Sequence, residues 1–120
     1  MNKHGNITSS WDGDIFIVEL KEAFNEDGLE FWFTQLKQII ESKKLTSWRR
    51  LEIWDEEVLG SPETIKIGKA IYDWYEEHGC EHTAVVVENG IQKQIIQHML
   101  NSNAQVFRDK EKALNWLKSR

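Results

Sequence analysis

A single cysteine, Cys80, rules out an intramolecular disulfide in this chain of 120 residues, and a lone thiol fits a reducing compartment. No stretch approaches the roughly 18–20 consecutive apolar residues of a membrane-spanning helix, and the opening Met1-Asn2-Lys3-His4-Gly5 lacks the apolar run of a signal peptide. Basic residues are outnumbered 15 to 20 by acidic ones and are scattered, and a net charge of -5 argues against nucleic acid and against anionic membrane as partners. Missing too are a glycine-rich phosphate loop, a Gly-x-Ser-x-Gly elbow, an internal repeat and any low-complexity segment. What these absences leave is a cytoplasmic protein without stable membrane insertion, built as one domain over residues 1–120. Such a length buries about two thirds of the surface that the unfolded chain exposes, enough for a core without covalent staples.

What is present is a strong strand signal. Ala84-Val85-Val86-Val87, entered through His82-Thr83, leaves neither side of a strand polar, the mark of a strand covered on both faces in a mainly parallel sheet. Asn89 and Gln92 directly after it form a capping box, so a buried strand runs straight into a helix. That is the repeating unit of α/β domains.

The rest of the chain fits this pattern. Ile7–Trp11 and Ile15–Leu20 flank Asp12-Gly13, a two-residue hairpin signal of the type I′ kind; the polar first arm suits an edge and the apolar second an interior strand. Asp27 with Glu30 predicts a capped helix running to about Lys43, with Leu29, Trp32, Phe33, Leu36, Ile39 and Ile40 on one stripe and Phe31 pointing away from it. Trp48–Asp55 alternates: Leu51 and Ile53 on one side, Trp48, Arg50, Glu52 and Trp54 on the other, the latter read as a half-covered sheet margin or as a groove or dimer contact. Ser61 caps a helix with Pro62 at its first position, and this helix ends at His78-Gly79. The helix after Asn89 carries Ile91, Ile95, Ile96, Met99 and Leu100 inward, Asn103–Arg108 forms a last strand, and Asp109 caps a terminal helix. The predicted order is β-β-α-β-α-β-α-β-α: a mixed, mainly parallel five-stranded sheet with four helices.

No catalytic constellation and no cofactor site emerge. His78-Gly79-Cys80-Glu81-His82 has the residue types of a metal site but joins a helix end to a strand start, and no fourth ligand is near in sequence, so no metal is expected. Cys80 stands at the amino end of its strand, whereas open α/β sheets bind ligands beyond the carboxyl ends. The junction after the third strand, Asp55, Glu56 and Glu57 with Ser61 and Thr64, is in the right place, next to a helix start that favours anions, and is the candidate binding or regulatory surface. Phe31, Trp48 and Trp54 are the candidate interface residues, and they predict a homodimer.

The order of elements, together with Gln105–Leu117 and above all Phe107-Arg108-Asp109, Ala113 and Trp116-Leu117, resembles the SpoIIAA-like proteins of the STAS fold, in the branch grouped with CRAL-TRIO-type lipid-binding relatives. The resemblance covers about Ile7 to Leu117 and implies four parallel strands with one antiparallel member and four helices. It also implies a bacterial regulatory module with a protein partner, the alternative being a carrier of a small apolar ligand or lipid. Regulators of this fold are switched by phosphorylation of a serine where the third strand meets the second helix. Here the position directly after Asp55 holds Glu56, and Ser61 is the nearest hydroxyl apart from Thr64.

Overall fold

The computed structural model describes residues 4–120. Its elements are β1 (Asn6–Asp12), β2 (Ile15–Lys21), α1 (Glu26–Lys43), β3 (Trp48–Trp54), α2 (Pro62–Glu77), β4 (Cys80–Val86), α3 (Gly90–Gln97), β5 (Ala104–Phe107) and α4 (Lys110–Lys118). The strands form one five-stranded sheet in sequential order β1-β2-β3-β4-β5, with β1 antiparallel to β2 and every later pair parallel. This is the mixed α/β fold the residue pattern predicts, with Ala84–Val87 covered on both faces and interior to the sheet.

Strand order decides where the helices go. Each crossover steps one strand in the same direction, and right-handed crossovers taken in one direction put their helices on a single face. Accordingly Leu36 and Ile40 of α1, Ile71, Tyr72 and Tyr75 of α2 and Ile96 of α3 pack with Phe16, Val18, Trp48, Trp54, Val85 and Val87 in one core. The opposite face is covered by α4 alone: Ala113 and Leu117 seal Ile15, Leu51, Ala84 and Val86. That leaves the β1 side of this second face to polar residues, Thr8 and Glu19 hydrogen bonding across it at 3.4 Å.

Three local expectations are corrected. The hairpin loop is Gly13-Asp14, since Asp12 pairs with Ile15; only Gly13 has positive φ, at 60°, which is the II′ pattern with glycine first rather than I′. Helix α1 starts two residues early, capped by Asn25, whose Oδ1 accepts from the Gly28 N–H at 2.8 Å. Asp27 therefore sits inside the first turn, where its charge faces the positive end of the dipole. Finally, Ile91 is 65% exposed rather than inward: it lies in the first turn of α3, past the carboxyl end of β4, where no strand lies beneath it. The other predicted caps hold, with Ser61, Asn89 and Asp109 each accepting from a first-turn N–H.

Candidate functional site

The junction between β3 and α2 is held by hydrogen bonds from two other parts of the chain, the end of β2 and the first turn of α3. Asp55 continues the ladder, its N–H donating to the Leu20 carbonyl at 3.0 Å. Its carboxylate accepts from the N–H of Glu57 at 2.9 Å, a local turn, and from the N–H of Glu22 at the end of β2 at 3.2 and 3.3 Å. Gln92, fully buried in the first turn of α3, donates through Nε2 to the carbonyls of Asp55 (2.7 Å) and Val58 (3.0 Å), while its Oε1 accepts from the Glu88 N–H at 2.8 Å. With Val58 also buried, this loop is pinned at both ends and in the middle. Gln92 was anticipated only as half of a capping box; it serves instead as the clamp between two loops, and a partner 34 residues away leaves no local sequence signal.

Beyond this clamp the surface is exposed and two-toned. Leu59, 46% exposed, and Ile91 flank the Gln92–Val58 hydrogen bond from either side, and Glu56, Glu57, Glu63 and Glu88 are exposed around them. Ser61 is exposed and acts as the helix cap, its Oγ accepting from the Thr64 N–H at 3.2 Å. Thr64 is buried and its hydroxyl donates to the Ser61 carbonyl at 2.8 Å, so of the two hydroxyls only that of Ser61 faces outward. The structure thus gathers Asp55, Glu56, Glu57, Ser61 and Thr64 into one junction.

Trp48 and Trp54 are elsewhere, and the sheet-margin and interface readings of their face are both overturned. They are 1% and 4% exposed, because this face of β3 is the one that α1 and α2 cover. Trp48 packs against Trp11, Phe16 and Tyr75, and its Nε1 donates to the His78 carbonyl at 2.9 Å. Between the two tryptophans, Arg50 and Glu52 form a buried ion pair. The Glu52 carboxylate also accepts from Trp54 Nε1 at 2.8 Å and from the Tyr72 hydroxyl, and the Arg50 guanidinium lies over the rings of Tyr72 and Tyr75 at 4.3 and 4.2 Å. Burial pulls the Arg50 pKa down, but Glu52 and the flanking phenols outweigh it and hold the cation firmly charged. Burial, then Glu52, pushes the Tyr72 hydroxyl well above its usual range, and burial raises Tyr75 as well. Of the expected interface residues only Phe31 stays at the surface, 39% exposed with its ring edge-on to Trp32.

The run from His78 to His82 is dispersed by its own geometry. His78 stacks on Trp74 with ring centroids 4.0 Å apart, Cys80 is buried with its thiol pushed up by that burial, and His82 lies edge-on to Trp116. Glu52 also borders an apolar cavity of about 70 Å³ between α1 and α2, lined by Leu29, Phe33, Leu36, Ile65 and Ile71 among others.

No family model and no curated protein matches the sequence. Solved structures do match in shape. An anti-sigma factor antagonist from Mycobacterium paratuberculosis superposes with a TM-score of 0.69 at 15% identity, over 96% of this chain and 95% of that one. An uncharacterized protein of the DUF3478 family with a SpoIIAA-like fold, from Shewanella loihica PV-4, gives 0.62 at 17% identity, over 98% and 96%. Both span essentially the whole sheet and its four helices, so the architecture built here from β1 to α4 is the SpoIIAA-like, STAS-type fold.

Proposed function

We propose that this chain is a non-enzymatic, cytoplasmic regulatory module that binds a protein partner through the surface beyond the carboxyl ends of β3 and β4. The observation that carries this reading is that Leu59 on the β3–α2 loop and Ile91 in the first turn of α3 are both exposed and stand next to Val58 and Gln92, the two residues that a hydrogen bond ties together. A preformed apolar pair costs little ordering entropy on association. Its exposed rim of Glu56, Glu57, Glu63 and Glu88 selects a partner that offers an apolar anchor framed by lysine or arginine. Sharing a fold with an anti-sigma factor antagonist is in keeping with such a role. In this proposal Ser61 is a cap and not a phosphorylated switch, since a phosphate there would meet Glu56, Glu57 and Glu63 across a short loop.

The rival reading, a carrier of a small apolar ligand or lipid as the CRAL-TRIO grouping would imply, needs a cavity on the order of 300–1,000 Å³. The space between α1 and α2 is about 70 Å³. Affinity capture from cell extract with the wild-type chain and with Leu59→Glu and Ile91→Glu variants tests the proposal. A partner retained by the wild type, released by rising salt and lost in both variants is the expected result. Capture unaffected by either variant, or a lipid carried through purification in native mass spectrometry, would overturn it.

A further inference from the structure

We propose that two copies of this chain join through β1, antiparallel about a twofold axis at Ser9, into one continuous sheet. The edge itself is the first observation. Edge strands are normally blunted by shortness, lysine, proline or a bulge. At the far edge β5 has four residues, but β1 has seven, pairs with β2 without a register break, and holds no lysine, no proline and no charge before Asp12. Among the described residues no strand pairs with its outer side.

The second observation is which groups face out. The two-residue loop makes Asp12 and Ile15 the closing pair, whose backbone groups point at each other; alternation then sends the N–H and C=O of Trp11, Ser9 and Ile7 outward. Pairing the strand with its own copy about Ser9 opposes Ser9 to Ser9, Ile7 to Trp11 and Trp11 to Ile7. These are the residues with outward backbone groups, so every one becomes a hydrogen-bonded pair. The side chains match as well. Ile7 and Trp11 lie on the α1 side of the sheet and meet as an aliphatic–aromatic pair; on the other side Thr8 faces Ser10 and Asn6 faces Asp12. Neither face sets a charge against a like charge.

The third observation is the apolar strip beside the edge. Helix α1 leans over β1: Trp32 Nε1 donates to the Gly5 carbonyl at 3.2 Å, and the Lys43 ammonium lies 5.4 Å from the Trp11 ring. Ile39, one turn before Lys43 on the same stripe, is exposed. A twofold axis perpendicular to the sheet keeps both α1 helices on one side and brings the two Trp11 side chains and the α1 helices beside them toward each other. The occupant that fits this edge is a second copy, because the strand is its own complement in both charge and backbone phase.

The test is sedimentation equilibrium of the whole chain from low to high micromolar concentration, with three variants. Wild type is expected to be a dimer. Ser9→Pro removes an outward donor at an edge position that tolerates proline and is expected to give a monomer with an unchanged circular dichroism spectrum. Ser9→Cys places two thiols on the axis at a Cα separation of about 5.5 Å, within disulfide reach, and is expected to form an oxidised dimer. Ser10→Cys sits opposite Thr8 and is expected to cross-link far less. A monomeric wild type at high micromolar concentration would overturn the proposal, as would equal cross-linking of both cysteine variants or a dimer that survives Ser9→Pro.

Discussion

Replacing Glu52 by leucine is expected to be the most damaging single substitution in the core, even though it puts an apolar residue on an apolar face. Glu52 is 4% exposed and receives three donors: the Arg50 guanidinium, Trp54 Nε1 and the Tyr72 hydroxyl. Removing the carboxylate leaves a buried cation with no counter-ion, a change that costs about 3–5 kcal/mol in comparable pairs. The two neutral donors stranded with it push the value toward the upper end. A domain of this size has a total stability of about 5–15 kcal/mol, so the variant should fold with little margin and melt about 10–20 °C lower. Arg50→Met should cost less, about 2–3 kcal/mol, because Trp54 and Tyr72 still satisfy the carboxylate. The double variant Arg50→Met/Glu52→Leu removes both charges and should recover at least about 2 kcal/mol against the sum of the singles. Urea unfolding at neutral pH, with the denaturant slope unchanged, measures all three. A Glu52→Leu protein within about 1 kcal/mol of wild type, or single effects that simply add, would refute the account of Glu52 as a structural counter-ion.

Alkaline pH should weaken the fold from about pH 10 upward, where free tyrosine ionises. The unfolded chain releases the Tyr72 and Tyr75 protons there while the native state, in which both are raised, keeps them; the native state then binds more protons and stability falls as pH rises. Tyr75→Phe should reduce that fall by about 1 kcal/mol between pH 10 and pH 11, read from urea midpoints. Gln92→Ala removes the amide that donates to the Asp55 and Val58 carbonyls and the oxygen that accepts from the Glu88 N–H, and should cost about 2–4 kcal/mol, with faster amide exchange at Val58 and Glu88 as the local signature. Gly79→Ala combines φ of 101° with a Cβ placed 2.5 Å from the Thr46 carbonyl oxygen, a backbone contact that cannot swing away, and should lower stability by more than about 1 kcal/mol in the same assay. Ser61→Ala should lower stability by a cap's worth, about 0.5–2 kcal/mol, seen as a lower melting temperature, and Ser61→Asp should restore it with partner capture intact; capture lost in Ser61→Asp but kept in Ser61→Ala would reinstate a phosphoswitch.

Local chemistry made much of this fold legible before any coordinates. A capping side chain acts within three residues, so Ser61, Asn89 and Asp109 declare their helices in the sequence itself. The cap of α1 was missed by two residues: Asn25 takes that role, and its Oδ1 also accepts from the His4 N–H at 2.9 Å, a tertiary contact with no local sequence signal. The junction Asp55–Thr64 follows from a different rule, since strand ends in α/β sheets fix where a crevice can lie; it lies beyond the carboxyl end of β3, and the role given to it is a proposal.

The face of β3 was misjudged because alternation divides a strand into two sides without saying what covers either. Leu51 and Ile53 look like the core side, and Trp48, Arg50, Glu52 and Trp54 like a margin, until the strand order is known. Four parallel strands laid down one after another send α1, α2 and α3 to the same side, three helices against the single α4 opposite. The deeper core therefore falls on the face that holds the charged pair, and large amphipathic side chains fill it: the tryptophans supply volume while their N–H groups reach the His78 carbonyl and Glu52. The same topology leaves β1 alone at the end of the row, seven residues long and unguarded, so the edge and not the buried tryptophans offers a surface for self-association.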